Sequence, residues 1–409
     1  MALALGEGAV RLAAWWSPRV RDLAVPRDRR GAQGFTSLAE YLASQPTQVV
    51  PHRDWFNYWN NALGMNAEEF VVPKPSGRFR VLALGDSFTY GIVPYPQAVM
   101  TILETRLRES CPGQDLDVLN FGISGTGVRD YETIAMLSLA TYDPDLVLVN
   151  FYAGNDGPDL YQFTHARARA RRVLAVLDAS RLWTLAGNAL RLWQGVGDLG
   201  VGKAPPAASP SRGGAPRGGM LVDPSRHVSD RVPALTGPVF TETAFVGVQA
   251  DELRRMYRPA DPALVDRAWR SVFAHLETIR MEAARRGRRM ALAIYPSSLQ
   301  VYPAQRAALV EALGHRTRYA LLSLDAIDPW LPNRQLIAYC QGAALPCVDL
   351  TPVFIEASQA STEALYKERD THWTIRGNRV AAEAEAPFLA GLVCPAGSRA
   401  PAPPAPARP

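Results

Sequence analysis

The run Leu146-Val147-Leu148-Val149-Asn150-Phe151 is apolar on both faces of any strand it could form. Such a strand has to be covered from two sides, which places it centrally in a parallel sheet with helices above and below. The rest of the chain carries the same alternation. Strand patterns occur at 78–84, 117–121, 145–151 and 290–295, with a short one at 346–350. Helical patterns fall at 96–108, 129–141, 262–286, 303–314, near 333–342 and at 376–392. In the helix from Pro262, residues Ala268, Val272, Leu276 and Ile279 recur at helical spacing. Its proline suits the first position, where a missing N–H costs nothing. The predicted class is α/β, a parallel sheet with helices on both faces.

The chain has 409 residues, 47% hydrophobic and 20% charged, enough for one large α/β domain with insertions or two average domains. Residues 1–77 read as an irregular N-terminal extension, with Trp55, Phe56, Tyr58 and Trp59 among Asn and Pro. The regular pattern occupies 78–156 and 288–394. Between them, 157–287 reads as a helical insertion, with a basic helix around 161–195 and a disordered linker at about 201–219. Residues 395–409 read as a disordered Pro/Ala tail.

The formal charge is +5, nearly all of the cations being Arg, and the run Arg167–Arg172 reads as a solvated helix face. There is no nucleic-acid motif, so no nucleic-acid partner is expected. No apolar run reaches the ~18 residues of a membrane span. The start, Met1 to Glu7, is too short and too quickly acidic for a signal peptide. Glu7–Arg11 resembles the juxtamembrane end of a helix whose apolar part is missing, so membrane association stays open if the N-terminus is truncated. Cys111, Cys340, Cys347 and Cys394 form no metal-type spacing. Cys340 and Cys347 flank a short turn that a disulfide can close, but the favoured reading is two small buried hydrophobes.

Four segments carry chemistry, and all fall where the predicted strands end. Gly85-Asp86-Ser87 follows the first strand, Asn120-Phe121-Gly122 ends the second and Gly154-Asn155-Asp156 follows the third. Asp370-Thr371-His372 lies in the loop before the last helix. In open parallel sheets the site lies at the carboxyl ends of the strands. A serine nucleophile needs a neutral histidine as base and a third group to orient it. Of the six histidines, only His372 has a carboxylate close by in a loop facing the strand ends. The expected roles are Ser87 as nucleophile, His372 as base and Asp370 as orienter. The N–H groups of Ser87 and Gly122 and the side-chain amide of Asn155 are the expected oxyanion donors.

Each segment also has a plainer reading. Ser87 alone would cap the helix after the first strand. Gly122-x-x-Gly125-x-Gly127 departs from a dinucleotide turn in spacing and lacks the following acidic residue. Asn155-Asp156 alone would be a turn, and His372 beside Trp373 would lead into a helix capped by Thr374. The four together outweigh these readings.

In this order the four segments resemble the blocks of the SGNH/GDSL hydrolase family. The resemblance covers about 78–156 and 288–392. It implies a flavodoxin-like three-layer α/β/α fold and a Ser-His-Asp mechanism with neither metal nor cofactor. It also implies acyl or acetyl esters as substrates, small molecules or glycans, and action in the cell envelope or periplasm. One position departs from the usual pattern: Arg369 stands three residues before the histidine, and the aspartate, Asp370, stands two before it. That spacing is similar to an Asp-x-His-Trp variant associated with envelope glycan O-acetylation. Two alternatives therefore stand beside ester hydrolysis. One is an O-acetyltransferase acting on a cell-envelope polysaccharide with the same residues; the other is a glycan-binding protein with a dead site.

Overall fold

The computed structural model describes residues 35–44, 60–165, 241–314 and 322–394, and the backbone of 54–55 and 58–59. Nearly all of them belong to one compact unit, Phe35–Thr164 with Pro224–Pro409. The expected linker, the tail and most of the basic helix lie outside the described residues.

Five parallel strands form the sheet: β1 (Phe79–Gly85), β2 (Leu116–Gly122), β3 (Leu146–Tyr152), β4 (Arg289–Tyr295) and β5 (Cys347–Asp349). Their order is β2-β1-β3-β4-β5, the flavodoxin-like order. The expected α/β/α class is the one observed. The helices that matter for the site are α1 (Ser87–Tyr90), α2 (Val99–Ser110), α3 (Val128–Tyr142), α4 (Glu242–Arg255), α5 (Pro262–Arg285) and α6 (Ile375–Val393).

Alternate residues of each strand feed the two sides of the sheet. Leu82, Leu84, Phe121, Val147, Val149 and Ile294 join a core closed by α3 and α5. Val81, Ala83, Val118, Leu148 and Ala293 join the other, closed by α2 and α6. Every residue of β3 is buried, as its two-faced apolar run requires. The register sets Gly85 opposite Gly122, so β1 and β2 finish at one level of the sheet edge.

Three features differ from the sequence reading. Helix α5, which falls in the range read as an insertion, buries Trp269 and Leu276 completely in the sheet core. It covers the crossover from β3 to β4. Helix α4 was not expected, because its apolar stripe, Val246, Ala250 and Leu253, is short and shares the buried face with Gln249, Glu252 and Arg254. Nor was the helix Thr351–Ala360, where Val353, Phe354 and Ile355 favour strand by intrinsic preference.

The cysteine reading is corrected. Cys340 pairs with Cys347, and Cys111 with Cys394 across 283 residues of sequence. The second pair joins residues that flank the C-terminal ends of α2 and α6. Among the described residues no helix is long and apolar enough to cross a membrane.

Candidate active site

Strand β1 delivers Ser87. The chain leaves the sheet at Gly85, and Asp86 caps α1, its Oδ1 accepting from the Phe88 N–H at 2.9 Å. Ser87 is thus the first residue of a one-turn helix, and its own N–H has no acceptor within that helix. Its Oγ lies 2.7 Å from His372 Nε2.

His372 and Asp370 come from one tight loop. Tyr366 bridges Trp373 in antiparallel fashion, and the Lys367 N–H donates to the His372 carbonyl at 2.9 Å. Trp373 is wedged between the rings of Phe88, Tyr295 and Phe354, and the Tyr366 hydroxyl donates to the Pro296 carbonyl. Thr374 then caps α6, accepting from the Gly377 N–H. Within the loop, Asp370 Oδ1 accepts from both the backbone N–H and Nδ1 of His372, at 3.3 and 2.6 Å. Burial works against the charge of Asp370. The hydrogen bond and charge of His372, with Lys367 nearby, outweigh it and hold the carboxyl below its ordinary range. Burial lowers the Lys367 ammonium to about 8; its Nζ donates to the Ile92 carbonyl.

Strand β3 delivers Asn155. The turn after it is locked by Asp156, whose Oδ2 accepts from the Tyr152 N–H at 2.8 Å. Asn155 Nδ2 donates to Asp86 Oδ2 at 2.9 Å, which leaves the second amide hydrogen for another acceptor. Its carbonyl is held by Arg255 Nε at 3.2 Å. Asp86 and Asp156 are buried carboxyls close to one another, so they cannot both carry charge at little cost. Burial raises Asp86, against the donors Phe88 and Asn155. Burial and the charge of Asp86 hold Asp156 far above its ordinary range.

Gly122 does not take the place expected of it. It is still part of β2, and its N–H donates to Asn120 Oδ1 at 2.9 Å. A side chain there would bring a Cβ within 2.0 Å of the Tyr90 nitrogen. The absence of a Cβ therefore serves the docking of α1 against β2, which is a different use of the same residue. The chain turns away from the sheet one step later. Thr126 N–H closes a turn on the Ile123 carbonyl at 3.3 Å, and Gly125 adopts φ 78° at its third position. The Gly125 N–H has no acceptor among the described residues. The signal was in the sequence: the glycine needed at a left-handed turn position is the one after the strand, not the one inside it.

The structure brings together Ser87, His372, Asp370 and Asn155, four of the five expected site residues. Of the other histidines, His275 pairs with Glu132 between α5 and α3. His52, His227, His315 and the side chain of His165 lie outside the described residues. No group of three or more His, Cys, Asp or Glu side chains among the described residues is arranged to hold a metal ion.

No family model and no curated protein matches the chain. Among solved structures it is similar to a member of the lipolytic protein G-D-S-L family from Veillonella parvula. The identity is 11%, the TM-score 0.35, and the match covers 75% of this chain and 96% of that one. It is also similar to a catalytic mutant of the acetylxylan esterase Axe2 from Geobacillus stearothermophilus (12% identity, TM-score 0.36, 76% and 94% covered). A third is LAE5, an alpha/beta hydrolase from the metagenome of Lake Arreo (13% identity, TM-score 0.37, 78% and 97% covered).

Proposed function

We propose that this protein is a serine-dependent ester hydrolase of the SGNH/GDSL type, acting through an acyl-enzyme. The observation that carries the reading is the hydrogen-bond relay from Ser87 through His372 to Asp370, at 2.7 and 2.6 Å. Ser87 and His372 lie 285 residues apart in sequence, and local chain preference gives no reason for those two to meet.

In this reading Ser87 Oγ attacks the ester carbonyl as its proton passes to His372 Nε2. Asp370 holds the Nδ1–H tautomer and stabilises the imidazolium. The oxyanion receives the Ser87 N–H, the free amide hydrogen of Asn155 and, in place of Gly122, the N–H of Gly125. Collapse expels the alcohol, which takes the proton back from His372. Water then repeats the sequence on the acyl-enzyme: His372 removes its proton, and Ser87 is regenerated as the acid leaves.

The test is turnover of p-nitrophenyl esters from acetyl to decanoyl, by wild type and by Ser87→Ala. Turnover by wild type, with a loss of roughly 10³-fold or more in Ser87→Ala, is the expected result. Confinement to the acetyl ester would mark a small acyl pocket and direct attention to acetylated glycans. Equal turnover by both proteins would refute the reading.

A further inference from the structure

Glu252, on the inner side of α4, is a buried carboxylate that the acyl-transfer scheme leaves unused. It accepts from the Tyr152 hydroxyl at 2.9 Å and from Ser297 Oγ at 2.7 Å. Tyr152 stacks on Phe88 with ring centroids 3.8 Å apart, and Phe88 lies 5.2 Å from the His372 ring. A continuous set of contacts therefore runs from Glu252 through two rings to the imidazole. Burying a carboxylate is expensive unless donors satisfy it, and an apolar residue would fill the same space between α4 and the sheet. Its two donors come from different strand ends, Tyr152 of β3 and Ser297 just after β4.

We infer that Glu252 is a positioning residue of the site, resting on the hydrolase reading above. From behind Tyr152 it fixes the wall against which His372 packs, and its negative charge favours the imidazolium that forms during acyl transfer. The groups facing Glu252 are Tyr152 and Ser297, Arg255 on its own helix, and Tyr366 and His372 of the triad loop. Those facing His372 are Ser87, Asp370 and Asp86, with Lys367 beyond Asp370. Burial raises Glu252 to about 7, against Ser297, Tyr152 and the charges of Arg255 and His372. The carboxyl is thus neutral on the acid side of that value and charged above it, so its help to the imidazolium grows with pH.

The experiment compares wild type with the near-isosteric Glu252→Gln and the charge-retaining Glu252→Asp. The wild-type to Glu252→Gln ratio of kcat should be near one at pH 5.5 and rise to roughly fivefold to tenfold at pH 8.5. Glu252→Asp should keep most of the rise. A ratio that does not change with pH would mean that Glu252 only braces Tyr152, and would overturn the proposal. A second measurement needs no turnover: an NMR titration of the His372 ring in both proteins. The pH at which the ring loses its proton should be lower in Glu252→Gln; an unchanged midpoint would overturn the proposal even if ester turnover is intact. If wild type turns over no ester, the hydrolase reading fails, and the titration still decides whether Glu252 acts on His372.

Discussion

Asp370 stands two residues before His372, and at that distance its Oδ1 reaches both the backbone N–H and Nδ1 of the same histidine. The turn that makes the relay also makes the loop. Arg369 completes it with φ 47°, a left-handed conformation that costs a non-glycine residue about 1–2 kcal/mol. Replacing Asp370 by Asn would remove the charge that orients the ring and stabilises the imidazolium. Turnover in Asp370→Asn should fall roughly 10³- to 10⁴-fold while thermal unfolding stays cooperative; steady-state kinetics beside a melting curve check this. Ser87, His372, Asp370 and Asn155 could be read from sequence because each falls at a strand end or in a loop with a distinctive neighbour. Gly122 misled because two glycines follow one another around a strand end, and only backbone geometry says which is in the sheet. Glu252 could not be read at all: a glutamate in a helix whose buried positions are mostly polar carries no motif.

At the scale of elements, the site depends on how closely α1 sits on β2. The Cα of Gly122 faces the Thr89–Tyr90 backbone with no room for a methyl group. Gly122→Ala should therefore push α1, with Ser87, away from the strand. The expected loss is about 1–3 kcal/mol of stability, with a much larger loss of turnover as Ser87 leaves the reach of His372. Denaturant titration and ester kinetics on the same preparation separate the two effects. Strands and the long amphipathic helices were legible because apolar periodicity reports burial. Helix α4 was not, since it packs through Gln249, Glu252 and Arg254 as well as Ala250 and Leu253. Where a helix docks through polar groups, periodicity says nothing and the partners have to be seen.

Across the whole molecule, two devices set the conditions under which this fold persists. One is the Cys111–Cys394 disulfide, which ties the end of α2 to the end of α6 across 283 residues of sequence. Cys394→Ser should lower stability by about 2–4 kcal/mol, and in reductant, which opens Cys340–Cys347 in both proteins, wild type and variant should unfold alike; unfolding with and without reductant measures it. Sequence spacing was silent here, because residues 283 apart are neighbours only through the topology. The other device is a set of buried carboxyls. Glu385 accepts from the Tyr295 hydroxyl at 3.0 Å, and burial raises it to about 8 from an ordinary 4.5. Its folded value lies above its unfolded one, so its contribution is complete below about 4.5 and is lost as pH rises through about 8. Glu385→Gln should accordingly lose less stability than wild type between pH 6 and pH 9, as melting temperatures across that range would show.

Covalent labelling with a fluorophosphonate, which reacts with a serine hydroxyl only where a neighbouring base activates it, probes the pairing of Ser87 with His372 in a single step. Intact-mass and peptide analysis of the labelled wild type should show one adduct, on Ser87. The adduct should be absent from Ser87→Ala and formed far more slowly in His372→Ala. No adduct on wild type, or the same adduct mass on Ser87→Ala, would contradict the account.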